Sequence, residues 1–466
     1  MNPMFTVYTY QDWEKTPVNK RGDMLKNIVQ EYKQSTEFQH ALTASQYFRG
    51  ENSDVMGKTI LQSGLYTYQD DKGQNHTVTQ NKAVVGARVP SNFFFRFVTQ
   101  QNQFLLANGV TLKEQEQKDK LGFGFDKALE QMGEKALVQG VCWAHWNNDH
   151  VEIMEAARDK MSGFVALVDE RNSQPRLGVQ FWQIGDKRPM YIRLFEEDGV
   201  SVYSVTNGKL RTEENKRAYV LKVAKDAAGE QITGEHNYGA LPLIPLYANG
   251  EQRSELSASI KAKIDAYDRI ASDFVDNLDK TNDVLWTLNN FGGSTREMAE
   301  MVERIRQLGI VANYSDGMGG NSSAEATAFE VPYAARKTAL ELLENALYAD
   351  YMAMNMDEIT GGSLTNVAIQ VAMTNMELKA DRYEWQVFQF MQRILHLLGV
   401  DTEEIKFRRQ TIVNESEIIA DIYTMRADID RRTALKLNPR IAPDEVETIM
   451  DALDLEELAG NTPTEE

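Results

Sequence analysis

The chain is poor in cysteine. Of its 466 residues only Cys142 carries a thiol, so no disulfide can form within it, and that suits a reducing compartment. No apolar run approaches the roughly 20 residues that a membrane span requires. The opening MNPMFTVYTYQDWEK lacks the basic stretch and apolar core of a secretory signal. The expectation is a soluble, intracellular chain with no membrane partner. Motifs of catalysis are also missing. There is no G-x-x-x-x-G-K-[ST] phosphate loop, no H-E-x-x-H zinc helix and no G-x-S-x-G nucleophile turn. Positive charge is short as well: 50 Lys and Arg face 69 Asp and Glu, for a net charge of −19. Proteins that coat nucleic acid neutralise phosphates with Lys and Arg. If this chain meets nucleic acid, it does not grip it over the whole surface.

What is present is an ordinary globular composition, 42% hydrophobic and 26% charged, long enough for about three domains. Residues 17–48 have helical spacing. LQSGLYTYQDDKGQNHTVTQ is a hairpin or loop, and Pro90 breaks or opens the helix that runs through Phe93–Leu106. FDKALEQMGEKALVQGVCWAHWN also has helical spacing, with Gly140 near its end. From about 151 to 247 short alternating runs between turn signals mark a β-rich segment. A long helix is expected from about Ser254 to Leu285, with apolar steps of three and four at Leu256, Ile260, Ile264, Tyr267, Ala271, Phe274 and Leu278. It would be roughly 45 Å long. A compact insertion follows at 286–331, then a helix opened by Pro332 that stops near Gly361-Gly362, and another over about 366–398. The C-terminal 55 residues read as helical and acidic. No repeat of fixed period is found.

Within the first long helix, KIDAYDRIASDFVDNLDKTND carries six aspartates. On a helical wheel Asp265, Asp268, Asp276, Asp279 and Asp283 share one arc of about 80°, with Asp273 at its margin. They extend along some 27 Å. Divalent ions need oxygens converging on one point, usually from several segments, so a solvated or lumen-facing stripe is the expectation and a metal or catalytic site the minor alternative. CWAHWNNDH offers Cys142, His145 and His150, zinc-ligand types without a fourth ligand nearby; Trp143 and Trp146 point to a packed helix end, and nothing local activates the Cys142 thiol. The basic clusters KFRRQ (Lys406 to Gln410) and DRRTALK (Arg431, Arg432, Lys436) read as ion-pairing patches.

Three segments resemble the tailed-bacteriophage portal (head-to-tail connector) proteins of siphophage type. LPLIPLYANGEQRSEL leads into the helix with IDAYD, through Ile244, Pro245, Asn249, Ser254, Glu255, Leu256 and Ile264 to Asp268, then Ser272, Asp273 and Asn277. LTNVAIQVAMTNMELKADRYEWQVF is similar to the family's helix after the tunnel loop, though Thr365-Asn366 stands where Ser-Gly is usual. IKFRRQTIVNESEIIADIYTMRADIDRRTALKLNPRIAPDEVETIM is similar to its C-terminal passage. The resemblance covers most of 240–450 and, more loosely, 20–240.

The resemblance implies a mixed α+β, mainly helical portal fold. A wing would take 1–253, with its β-rich part at 151–247. A first stem helix would span 254–285, a clip 286–331 and a second stem helix 332–357. A tunnel loop at 358–366 would include Thr360, Gly361, Gly362, Ser363, Leu364, Thr365 and Asn366. A long wing helix and strand would follow at 367–410 and a crown at 411–466. It implies a non-enzymatic homo-oligomeric ring, commonly of 12 subunits, at the unique capsid vertex. Double-stranded DNA would pass through during packaging and ejection without sequence-specific contact. The clip, with Asn289, Asn290, Phe291, Arg304 and Arg306, would dock the terminase large subunit and later a head-tail adaptor. Major capsid and scaffolding proteins would also be partners. The location would be the virion, and the host cytoplasm during assembly. No cofactor, metal or catalytic residue is expected. An acidic stripe would keep phosphates sliding or face basic side chains of a neighbouring subunit. The alternatives are a metal-dependent nuclease or hydrolase using the aspartates, or another structural capsid or adaptor protein.

Overall fold

A computed structural model describes residues 6–57, 60–69, 75–84, 86–226, 229–281, 285–289, 323–327, 333–355, 366–400, 404–409, 415–425, 429–441 and 445–460. It is a mixed helix-and-strand fold. Its first helices are α1 (Tyr10–Lys15), α2 (Val18–Gln34), α3 (Thr36–Phe48) and α4 (Ser53–Met56). Two of these starts are capped by side chains: Thr9 and Asp12 form a reciprocal capping box at α1, and Ser35 caps α3, satisfying backbone N–H groups that the first turn leaves open. The polar stretch after α4 is a hairpin, β1 (Ile60–Gln69) with β2 (Asn75–Val84). Pro90 lies in the extended segment that follows, and α5 (Phe93–Leu106) begins three residues later.

Two layers share the body. Strands β6 (Ala157–Asp159), β7 (Ser162–Val168), β8 (Pro175–Gln183), β9 (Met190–Glu196), β10 (Gly199–Thr206) and β11 (Lys209–Arg217) form an antiparallel meander in spatial order. Alternation assigns its faces. Val165, Leu167, Val179, Phe181, Ile192 and Leu194 meet Leu25, Ile28, Val29 and Phe38 of α2 and α3. Phe164, Ala166 and Phe195 point the other way, onto a second sheet of β14 (Leu243–Tyr247), β4 (Val141–Asn147) and β5 (His150–Glu155). The β-rich expectation for 151–247 holds, including hairpin β12 (Val220–Asp226) and β13 (Gly229–His236).

The expectation of a helical CWAHWN fails. After the short α6 (Gln115–Asp119), helix α7 (Phe125–Gln139) stops at Gly140, whose φ of 93° is open to glycine. A Cβ there would stand 2.9 Å from the backbone of Gln252, Arg253 and Ser254. Strand β4 then runs between two cores: Cys142, Ala144 and Trp146 enter one, Val141 and Trp143 the other. A strand buried on both faces shows no alternation, so its apolar run imitates a buried helix.

The main core gathers α5, α7, β4, β14 and three later helices: α8 (Ala258–Thr281), α9 (Tyr333–Tyr351) and α10 (Asn366–Leu397). Each fully buried Phe of α5 contributes about 1.5–3 kcal/mol, and Phe93, Phe94 and Phe97 are all buried. Helix α8 has 24 residues, about 36 Å. It is shorter than expected at both ends: residues 254–257 lead into it as irregular backbone, and Leu285 belongs to a strand. Strand β3 (Val110–Leu112) pairs with β17 (Ile405–Phe407). The C-terminal segment is helical as expected: α11 (Glu415–Thr424), α12 (Arg431–Leu437) and α13 (Glu445–Gly460).

Candidate functional site: a helical hairpin and its anchor

Helices α8 and α9 run antiparallel as a hairpin. Near its root Lys263 pairs with Asp350, and Ser259 Oγ donates to Asp350 Oδ2 at 3.1 Å. Farther out, Arg336 Nη1 donates to the Asp273 carbonyl at 3.2 Å, and Phe274 and Tyr333 rings lie 5.9 Å apart. Beyond the helices, β15 (Leu285–Asn289) pairs with β16 (Ser323–Thr327) in the same antiparallel sense. In the described residues the expected layout of two helices flanking an insertion is represented by two antiparallel helices and one antiparallel pair of strands. Of the expected clip residues Asn289 ends β15, while Asn290, Phe291, Arg304 and Arg306 lie outside the described residues. So do Thr360, Gly361, Gly362, Ser363, Leu364 and Thr365; Asn366 opens α10.

The root is held by the segment that carried the sequence motif. The Asn249 side chain accepts from the Arg253 N–H and donates to the Arg253 carbonyl, closing the loop. Ser254 Oγ donates to the Val138 carbonyl at 2.5 Å, and the Glu255 N–H donates to the Leu137 carbonyl at 2.9 Å. These bonds clamp the entry of α8 to the end of α7. The Glu255 carboxylate then pairs with Lys379 of α10 at 2.8 Å. Lys379 also donates to the Tyr351 carbonyl at 2.9 Å and sits 3.2 Å from the centre of the Tyr351 ring. Burial pulls the Lys379 pKa below its ordinary value, and Glu255 opposes that pull. One buried ion pair thus joins the start of α8, the end of α9 and the middle of α10.

The acidic stripe is not a solvated face where it is described. Asp268 is 0% exposed. Its Oδ1 accepts from the Ser91 N–H at 2.8 Å, and its Oδ2 from Asn52 Nδ2 at 2.5 Å. Ser272 Oγ, one turn on, accepts from the Val89 N–H at 3.1 Å; Asp276 Oδ1 accepts from the Ala87 N–H at 2.6 Å. Asp265, one turn before the middle of the stripe, accepts from Tyr47 and from Lys261. The spacing explains the fit. Steps of four along a helix advance about 6.0 Å, and steps of two along an extended chain about 6.6 Å. Residues 268, 272 and 276 therefore meet residues 91, 89 and 87 in register. Pro90, which has no N–H, falls on an alternate position that needs none.

The expected phosphate-facing stripe is thus corrected for Asp265, Asp268 and Asp276. Their carboxylates are committed to donors within the chain. Asp279 lies in α8 with its side chain outside the described residues, and Asp283 is wholly outside them. Burial pushes the Asp268 pKa up, while the donors from Ser91 and Asn52 oppose it. Burial disfavours the Lys261 ammonium, yet Asp265 and Tyr47 outweigh it and hold its pKa above the usual value. Sequence reasoning missed Asn52, Ser91, Tyr351 and Lys379, and placed Ser272 in the motif without a role. The available signal was the i, i+4, i+8 row of short acceptors on α8.

The other candidates resolve into structure. Cys142 is buried, which pushes its thiol pKa well up, and Sγ donates to the Met154 carbonyl. His145 Nδ1 lies 3.2 Å from Glu152 Oε2; a carboxylate accepts only, so Nδ1 carries the proton. That bond, with help from Asn147 and Arg193, holds Glu152 down at a pKa of about 2. His150 is exposed at the start of β5, beside Asp149. Among the described residues no three His, Cys, Asp or Glu converge on a point that could hold a metal ion, and no helix is long and apolar enough to cross a membrane. The basic clusters form ion pairs as expected: Arg409 with Asp381 and Glu384, Lys406 with Glu404, and Arg432 with Glu447.

A family model described as phage portal protein, SPP1 Gp6-like, matches residues 29–457. The portal protein of Clostridium phage phiCD119 is 24% identical over 394 residues, covering 79% of this chain and 86% of that one. The portal protein of Bacillus phage SPP1 is 23% identical over 416 residues, covering 82% and 78%. Among solved structures, a chain of the neck of an empty gene transfer agent (GTA) particle matches with a TM-score of 0.40 and 10% identity, over 76% of this chain and 91% of that chain. A chain of a native gene transfer agent virion matches with a TM-score of 0.38 and 9% identity, over 77% and 89%.

Proposed function

We propose, from the premise that the chain belongs to the SPP1 Gp6-like phage portal protein family, a division of labour among its parts. Members of this family are structural proteins, and the chain is a ring-forming portal protein of the virion, placed at the capsid vertex. The finer reading is that a ring of 12 copies forms a channel for double-stranded DNA during packaging and ejection. The α8–α9 hairpin is the stem, within 254–285 and 332–357. The clip is 286–331 and the tunnel loop 358–366. The wing takes 1–253 with 367–410, and the crown 411–466. On this reading the terminase large subunit and a head-tail adaptor dock at the clip. Major capsid and scaffolding proteins surround the wing, and assembly occurs in the host cytoplasm.

The observation that carries this reading is the rooted hairpin. A two-armed projection clamped through Glu255, Lys379 and Tyr351 can transmit load from a docked motor to the body. The net charge of −19 suits a conduit, since each neutralised phosphate adds salt-dependent grip. Any repulsion from the acidic stripe falls to Asp279 and Asp283, because Asp268 and Asp276 hold the strap at 87–91 and Asp265 holds Tyr47 and Lys261. The competing hydrolase needs carboxylates meeting at one ion. Asp265, Asp268 and Asp276 are instead spread along α8, each holding a hydrogen bond.

Electron microscopy of the purified, assembled protein tests the reading. A closed ring with a bore wide enough for duplex DNA is expected. In infected cells, deleting residues 361–364 is expected to leave rings intact and reduce packaged DNA. Assemblies without a bore, or full packaging by the deletion, would overturn it.

A further inference from the structure

We infer that the outer face of α10 docks on the outer face of α9 in a second copy of this chain; the inference rests on the ring-forming reading and goes on to name the two surfaces. Helix α10 turns Met373, Met376, Ala380, Tyr383, Val387 and Phe390 inward. Its opposite side carries three large apolar residues seven apart: Val371 at 70% exposure, Leu378 at 53% and Trp385 at 58%. Steps of seven drift only about 20° each on a helix, so the three form one stripe, about 21 Å long. Trp385 is stacked on Phe388 with ring centres 5.7 Å apart, which holds it in the stripe. A tryptophan in an apolar row is the kind of residue that anchors interface cores.

Helix α9 offers the matching surface. Leu347 and Tyr351 face inward, while Leu342 is 65% exposed on the far side. Ala335 and Ala349, seven residues before and after it, are exposed too. One stripe is therefore large, Val-Leu-Trp, and the other mostly small, Ala-Leu-Ala, with the same repeat. Large residues of one helix set between small residues of another give the interdigitation that close helix packing needs. At the rims, exposed Arg382 flanks the large stripe, and an exposed Lys337–Glu341 pair flanks the small one. Two different faces are also what a closed head-to-tail ring requires. A stripe that met itself would close a pair and stop.

The test uses the full chain and native mass spectrometry with negative-stain imaging. Leu378→Asp and Leu342→Asp are each expected to lower the ring population at least about tenfold, the effect of losing an interface anchor, with unchanged circular dichroism. Ile184→Asp, at an 82% exposed site off both stripes, is expected to form rings normally. Mixing the two defective variants gives the sharpest readout. Each keeps one good face, so the mixture is expected to yield one-to-one dimers that grow no further, while each alone stays monomeric. Trp385→Ala, which adds no charge, is expected to raise the concentration needed for assembly by about fivefold or more. Rings from Leu378→Asp, no dimers on mixing, or an unchanged Trp385→Ala would each overturn the pairing while the ring reading stands. A wild-type chain that forms no rings in any condition would fail that reading first, and the pairing with it.

Discussion

Helices α8 and α10 are both long, and each has one polar and one apolar side, yet they spend them in opposite ways. The polar row of α8 turns inward and holds a strap of backbone. An apolar row of α10 turns outward and stays exposed, with Trp385 stacked on Phe388 of the same helix. Polarity alone therefore does not give direction. What decides is the supply of partners. The segment at 87–91 brings N–H groups without a sheet ladder, and unpaired buried N–H groups are costly; Asp268, Ser272 and Asp276 satisfy them. Among the described residues no element covers Val371, Leu378 and Trp385 in the same way.

Three variants sharpen or break this contrast. The largest effect is expected at the joint between the two helices. Lys379→Met keeps the stem of the side chain but strands the Glu255 carboxylate, whose side chain is 16% exposed. Breaking a buried pair costs about 3–5 kcal/mol, read as a loss of unfolding free energy in urea. A loss under about 1 kcal/mol, the level of a surface pair, would mean the helices are not joined there. Next comes Asp268→Leu, which removes the acceptor for Ser91 and Asn52. It is expected to cost about 2–3 kcal/mol and to speed amide exchange at Val89 and Ser91. Unchanged exchange would show that the strap is held by something other than the α8 row.

The smallest effect is a pH dependence. Glu152 has its pKa lowered from 4.5 to about 2 by His145 and Asn147. A depressed carboxylate stabilises the fold above its unfolded pKa and loses that contribution as pH falls through its folded pKa. Glu152→Gln is thus expected to be less stable by about 1–2 kcal/mol at pH 7, after discounting for its partial exposure. The deficit should vanish between pH about 4.5 and about 2. Asp268 carries the opposite sign: burial raises its pKa, so its contribution weakens as pH rises through the carboxylate range. If Glu152→Gln showed a deficit that grew on acidification, the two carboxylates would not differ in the way their surroundings require.

Much was legible in the residues. The helical steps at Ile260, Ile264 and Phe274 mark α8, and turn signals delimit the strands of 151–247. The motif Asn249, Ser254, Glu255, Leu256 marks the entry to the hairpin. Local pattern records these because neighbours in sequence are neighbours on one helix or one turn. Two readings failed for a common reason. CWAHWN looked helical because a strand between two cores loses its alternation. The aspartates looked solvated because the donors to Asp268 and Asp276 lie some 180 residues away, at Ser91 and Ala87.

By itself, then, the sequence determined the succession of helices and strands, the family to which the chain belongs, and the arc of α8 on which its aspartates stand. Only the tertiary structure decided which way that arc faces. A helix wheel places side chains around an axis but holds no information on what approaches each side. The free energy of a carboxylate depends on whether water or a backbone N–H arrives there. That choice is made by long-range packing: Gly140 admits the turn before α8, Lys379 ties α10 to it, and the strap is thereby laid along the acidic row.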